Sequence, residues 1–154
     1  MWPLRFPSYD QSVSVTNVCS HFVTLSCYSV SVDRFLLYST LYSTALIDVA
    51  DSGHLEEMTQ DHFPDLERDG PTIAAGNIDG YDGNAFVQVT HKRVVIIDLS
   101  IGAKTTEWPA SNSRRSNVAI TVACVNPTQI ALALQGGELV YLIIDKQMKL
   151  IEQR

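Results

Sequence analysis

The feature that most constrains this fold is a recurring pattern. Short runs of β-branched and aliphatic residues alternate at period two and return along the chain, separated by tight-turn residues. The clearest case is QIALALQGGELVYLIID, residues 129–145, where two apolar runs flank Gly136 and Gly137. Helical periodicity is hard to find, so the chain reads as almost all β.

Within that reading SVSVTNV (12–18) and YSVSVD (28–33) alternate hydroxyl and valine, and DRFLLYSTLYSTALIDVA (33–50) has apolar material for one or two strands. Residues 51–71, DSGHLEEMTQDHFPDLERDGP, are acidic with Gly and Pro near both ends, which predicts a solvated loop with one helical turn. TIAAGN (72–77) is a short strand, and IDGYDGN (78–84) has the Asp-Gly chemistry of a tight turn. AFVQVTH (85–91) and KRVVIIDLS (92–100) then form a hairpin cornered at His91 and Lys92. IGAKTTEWPA (101–110) is expected to leave the sheet, SNSRRSN (111–117) is a polar loop, and VAITVACVN (118–126) re-enters as a strand. IALALQ (130–135) and ELVYLIID (138–145) make another hairpin, and KLIEQR (149–154) starts one more strand. In ELVYLIID, Leu139, Tyr141 and Ile143 alternate with Val140, Leu142 and Ile144, so this strand is expected to be covered on both faces.

Short strands in series, tight turns and no crossover helices mean an antiparallel sandwich, barrel or propeller, and the strand order favours propeller blades. A four-stranded blade takes about 40 to 50 residues, so the 154 residues give a partial propeller of about three blades. Such an incomplete ring would leave an exposed strand edge that favours association.

Composition narrows the function. At 45% hydrophobic and 18% charged residues the chain is of globular type. Its net charge of −6 is laid out unevenly: residues 48–82 hold ten acids and one base, Arg68, whereas residues 83–154 hold eight bases and five acids. An acidic chain lacks the dense basic face that direct nucleic-acid binding needs, so any nucleic-acid role is expected to come through an assembly. Cys19, Cys27 and Cys124 form no CxxC pair and predict neither a disulfide framework nor a thiolate zinc site. No signal-peptide core opens the sequence, and FLLYSTLYSTALIDVA is broken by hydroxyls and too short to span a bilayer, so an intracellular protein without membrane contact is expected.

The candidate chemistry does not assemble. Glu138 follows two glycines, but the flanking LALQ and LVYLII bring no second acid or base within reach, while both glycines suit a turn needing positive φ. A phosphate-cradling loop would require a following helix, and a strand follows here. His54, His62, Glu56, Glu57, Asp61 and Asp65 are metal-ligating types, yet their spacing does not put two ligands on one helical face. Around Gly80 and Gly83 the oxygen ligands of a calcium loop are incomplete. Cys124 sits mid-strand without a neighbouring base, and no Gly-x-Ser-x-Gly elbow occurs. Arg114 and Arg115 stand in a polar loop that could touch a phosphate or an acidic partner. The expectation is therefore a non-enzyme with no catalytic, cofactor or metal site and no small-molecule substrate. A small β-rich hydrolase using Glu138 or His54 is the alternative from another class.

TTEWPA, then VAITVACVNPTQIALALQGGELVYLIID, then a short charged turn, resembles the large multi-propeller subunit of splicing factor 3b, the subunit 3 or Rse1 family. DSGHL (51–55), PTIAAG (71–76) and NAFVQVT (84–90) are similar to that family's preceding segment. The resemblance covers residues 45–154 and leaves 1–44 an unassigned β-rich segment; the Trp108–Val118 loop and the 56–70 excursion are longer than the family pattern. Two related subunits share the Glu-Trp and strand pattern: the damaged-DNA-binding adapter of cullin-4 ubiquitin ligases and the cleavage and polyadenylation specificity factor A subunit. Gly-Gly-Glu-Leu-Val-Tyr points to the splicing member. The resemblance implies a WD40-like β-propeller scaffold in the nucleus, bound to splicing factor 3b and U2 snRNP proteins and meeting pre-mRNA or snRNA only through that assembly. The 56–70 and 110–117 loops are then the candidate binding rims.

Overall fold

Twelve short strands fall into three sheets of four in a computed structural model that describes residues 26–30, 34–49, 53–78, 84–110, 113 and 116–153. The first sheet holds β1 (Ser26–Val30), β2 (Phe35–Ser39), β3 (Thr44–Val49) and β4 (Leu55–Glu57). The middle sheet holds β5 (Thr72–Asn77), β6 (Ala85–Thr90), β7 (Val94–Asp98) and β8 (Ala103–Trp108). The last holds β9 (Ile120–Asn126), β10 (Gln129–Leu134), β11 (Leu139–Ile144) and β12 (Leu150–Gln153). Each sheet is an antiparallel meander in chain order, so each is a propeller blade. The first blade straddles residue 45: β1 and β2 lie within the segment that the sequence leaves unassigned, and β3 and β4 follow.

The blades stack face to face. β1 lies against β5 and β5 against β9, which sets the first strands side by side along one edge of the arc. Between the first and middle blades Val30, Leu37 and Leu46 pack with Phe86, Val95 and Ile97. Between the middle and last blades Val87, Val89 and Ile96 pack with Ile130, Leu132 and Leu142. All six residues of β6 and the first four of β7 are buried because the middle blade has a neighbour on either side. That explains the unbroken apolar run VVII, where a half-exposed strand would alternate.

Turn chemistry sets the hairpins. At the β6–β7 corner Thr90 N–H donates to the Arg93 carbonyl at 2.9 Å, with His91 and Lys92 at the tip. In the β10–β11 hairpin Leu134 N–H donates to the Glu138 carbonyl at 2.8 Å, and Gly136 and Gly137 adopt φ of 103° and 89°. An L side chain resists that backbone region, which accounts for the glycine pair.

Three expectations need correction. IGAKTTEWPA does not leave the sheet: residues 103–108 are β8, paired with β7 from Val94↔Trp108 to Asp98↔Ala103. Its polar sequence is that of an outermost strand with one face partly open. The 51–71 segment is only in part the solvated excursion expected: Gly53–Glu57 and Thr59–His62 are exposed, but the segment also forms a strand and two buried anchors. Leu55–Glu57 pair with β3, and beyond them Phe63 and Leu66 are buried against the first and middle blades, with Phe63 edge-on to Phe35 at 6.1 Å between ring centroids. Two apolar anchors in an acidic context hid that packing. Finally, β11 is covered on one face only: Val140, Leu142 and Ile144 are buried, but Leu139 is 80% and Tyr141 40% exposed. No described blade lies beyond the last one. The SVSVTNV stretch, residues 31–33 and the core of IDGYDGN fall outside the described residues.

Candidate interaction surface

The residues weighed for catalysis are scattered. Glu138 lies exposed at the tip of the β10–β11 hairpin. Cys124 is exposed in mid β9, in register with Ala131. Cys27 is half-buried, and desolvation raises its thiol pKa, which disfavours the nucleophilic thiolate. His62 meets the Thr59 hydroxyl through Nδ1 at 2.9 Å, and Asp65 accepts the Lys104 N–H at 2.9 Å. Glu56 and Glu57 are adjacent on β4 and so point to opposite faces. Among the described residues no three His, Cys, Asp or Glu side chains come together as metal ligands. Arg114 and Arg115, with Gly80 and Gly83, lie outside the described residues.

What the 58–70 segment builds instead is a joint. Gln88 on β6 receives the Glu67 N–H on Oε1 at 3.0 Å, and its Nε2 donates to the Glu67 carbonyl at 2.8 Å and to Thr72 Oγ1 at 2.9 Å. From Thr72 the chain of hydroxyls continues to Thr44 at 3.0 Å and Ser39 at 3.1 Å, and Ser39 Oγ accepts the Thr72 N–H at 2.8 Å. Buried polar groups this well paired fix one register between the blades. Arg93 adds ion pairs to Glu67 at 3.0 Å and Glu107 at 3.2 Å, and Lys104 reaches Glu107 at 2.7 Å. A cleft of about 250 Å³ lies over these groups. Glu67, Arg93 and Lys104 are ion-paired at its edge, whereas Arg68 donates from Nη2 to the Met58 carbonyl at 2.7 Å and its buried Nε has no partner.

The neighbouring groove is different. It is open, holds about 370 Å³ and runs along the rim between the first and middle blades. Arg34, stacked on Phe35 with its guanidinium 5.0 Å from the ring centroid, stands at one side; Met58, His62 and Phe63 form the wall, and exposed Ile101 stands opposite. A groove with an aromatic floor, a cation and a projecting aliphatic suits an extended peptide better than a small polar substrate. Gly102 positions the lip: its φ is 67°, and a Cβ there would strike the His62 carbonyl oxygen. Sequence reasoning reached the 56–70 edge of this groove but missed Arg34, Ile101 and Gly102. The available signal was an aliphatic residue in the tight turn Ser100-Ile101-Gly102.

No curated protein matches the chain. A family model does: residues 7–154 match the one described as the RSE1/DDB1/CPSF1 second beta-propeller, and with three propeller blades in place the chain belongs to that family.

Proposed function

We propose that this chain is a protein-interaction scaffold of the splicing branch of its family, acting in the nucleus with splicing factor 3b and U2 snRNP proteins. The family is one of non-catalytic propeller scaffolds. The observation that carries the splicing assignment is the hairpin Gly136-Gly137-Glu138-Leu139-Val140-Tyr141 downstream of Glu107-Trp108, the combination that resembles the splicing member. The net charge of −6 supports contact with pre-mRNA or snRNA through bound proteins rather than directly. Peptide segments of those proteins would enter the rim groove beside Phe35, Phe63 and Ile101.

Affinity purification of the tagged chain from nuclear extract tests this. Recovery of splicing factor 3b and U2 proteins is expected, with recovery reduced by Ile101→Glu. Recovery of cullin-4 or polyadenylation factors in their place would refute the splicing assignment. Detectable hydrolase activity abolished by Glu138→Gln would refute the scaffold reading.

A further inference from the structure

The cleft over the polar joint holds a cation that the fold leaves without a counter-charge. Arg68, half-buried, lines it; Nη2 donates to the Met58 carbonyl at 2.7 Å, the buried Nε has no partner, and among the described residues the guanidinium forms no ion pair. Two of the acids that line the cleft are engaged elsewhere: Glu67 pairs with Arg93 at 3.0 Å, and Asp65 accepts the Lys104 N–H at 2.9 Å. Asp69, the third, is exposed to water. The backbone holds Arg68 in place, because Thr44 N–H donates to its carbonyl at 2.9 Å and Gly70 N–H donates to the Tyr42 carbonyl at 2.9 Å. The same bonds set the β2–β3 tip beside Arg68, and on that tip Leu41 is 47% and Tyr42 80% exposed. The tip is itself braced: Thr40 Oγ1 receives the N–H of Tyr42 at 3.1 Å and that of Ser43 at 3.0 Å.

We propose that Arg68 and the Leu41–Tyr42 tip form a docking site for a partner protein segment that carries a carboxylate side chain next to an apolar one. A guanidinium withdrawn from water recovers its desolvation cost only when an anion meets it, and its planar fork matches a carboxylate. The lining acids select a carboxylate over a phosphate group. Arg68 offers a single unbalanced positive charge, and the second charge of a phosphate would stand against Asp65, Glu67 and Asp69. The apolar part of the segment would cover Leu41 and Tyr42; tyrosine and arginine are among the residue types that most often dominate interface energetics. Because backbone hydrogen bonds already tie the tip to the Arg68 segment, docking requires little further ordering. The site lies at the Ser39–Thr44 end of the strands, whereas the rim groove lies at the other, so it is a second surface and does not depend on which family branch supplies the partner proteins.

The test is an NMR titration of the purified 154-residue chain with the peptide acetyl-Leu-Glu-Leu-amide, read at the arginine Nε–H signals and at the backbone N–H of Tyr42. The Arg68 signal is assigned by its absence from Arg68→Lys. Both reporters should shift saturably at millimolar peptide, and the glutamine counterpart of the peptide should bind about tenfold more weakly, as expected for loss of a charge-assisted pair. Arg68→Gln should abolish the Tyr42 response. Tyr42→Ala, at a largely exposed position where unchanged circular dichroism will verify folding, should weaken the Arg68 response several-fold. Equal affinity for the glutamate and glutamine peptides would overturn the proposal, as would the absence of any saturable shift. Tighter binding of the phosphoserine counterpart would overturn it too, since the site would then be a phosphate receptor.

Discussion

Replacing Gln88 separates the polar joint from the apolar packing around it. The residue is 0% exposed and makes three hydrogen bonds, two of them to the backbone of Glu67. Gln88→Leu keeps the volume and removes all three. Thr72 retains Thr44 as a partner, but the Glu67 N–H and carbonyl lose theirs, at about 1 to 3 kcal/mol for each polar group left unsatisfied in the interior. Glu67 is half-buried and regains some water, and leucine gains some transfer energy, which puts the net loss at about 2 to 3 kcal/mol. At about 2 to 4 °C per kcal/mol for a chain of this size, the melting temperature should fall by roughly 4 to 12 °C. Gln88→Glu is the informative partner. It keeps an acceptor for the Glu67 N–H but sets a second oxygen against the Glu67 carbonyl and Thr72, so it fits only when protonated. Burial raises its folded-state pKa above that of an unfolded glutamate, and the fit it provides is complete at low pH and lost as pH rises through the folded pKa. Thermal melts at pH 5 and pH 7.5 should therefore show Gln88→Glu closer to the parent at pH 5, with Gln88→Leu equally displaced at both. Trypsin cleavage after Arg68 should accelerate in both variants at pH 7.5, because the 58–70 segment is released. A Gln88→Leu protein melting within about 1 °C of the parent, with unchanged cleavage, would refute the claim that this network joins the blades.

Gly102→Ala should cost about 2 to 4 kcal/mol, since it combines a positive φ with a clash against the His62 carbonyl, and a urea titration will show the shifted midpoint. Trp108→Phe should lose about 2 kcal/mol by the same assay: the indole fills the junction of the middle and last blades and donates to Glu152 at 3.0 Å. Tyr28 donates its hydroxyl to the Ile73 carbonyl at 2.9 Å, and desolvation raises its pKa, outweighing the lowering by Ser26. Its contribution is therefore full below the ordinary tyrosine range and lost as pH rises through the folded pKa, so the stability gap between the parent and Tyr28→Phe should narrow from pH 8 to pH 11. A constant gap over that range would show that the phenol is not held neutral by the fold.

The strands were legible where burial imposes a pattern. TIAAGN is β5 to the residue, AFVQVTH overruns β6 only by His91, and ELVYLIID contains β11, because burial against a neighbouring blade leaves an uninterrupted apolar or alternating trace. β8 was not legible: AKTTEW is polar, and only the ladder to β7 makes it a strand. The 58–70 segment misled for the converse reason. Its acids outnumber its anchors, and charge counted along a sequence cannot show that Glu67 is turned toward Arg93 and Asp65 toward a backbone amide. The rim groove was half legible, since it draws on three separate stretches, around Arg34, Phe63 and Ile101, that only the stacking of two blades brings together.

The polar investment in this molecule is asymmetric, and that bears on what each joint is for. The junction between the first and middle blades holds the hydroxyl and amide network, the Arg93 ion pairs and the rim groove, whereas the junction between the middle and last blades is an aliphatic slab tied at its outer edge by Trp108 and Glu152. An aliphatic slab tolerates small slides, because dispersion and burial change little over a fraction of an ångström. A network of paired donors and acceptors does not, because each displaced pair leaves a buried group unsatisfied. The stricter joint, at the Ser39–Thr44 end of the strands, ties together the same two blades whose other end forms the groove of Phe35, Phe63 and Ile101. Fixing that register holds the groove's width constant, which is the property a peptide-binding rim on a scaffold requires.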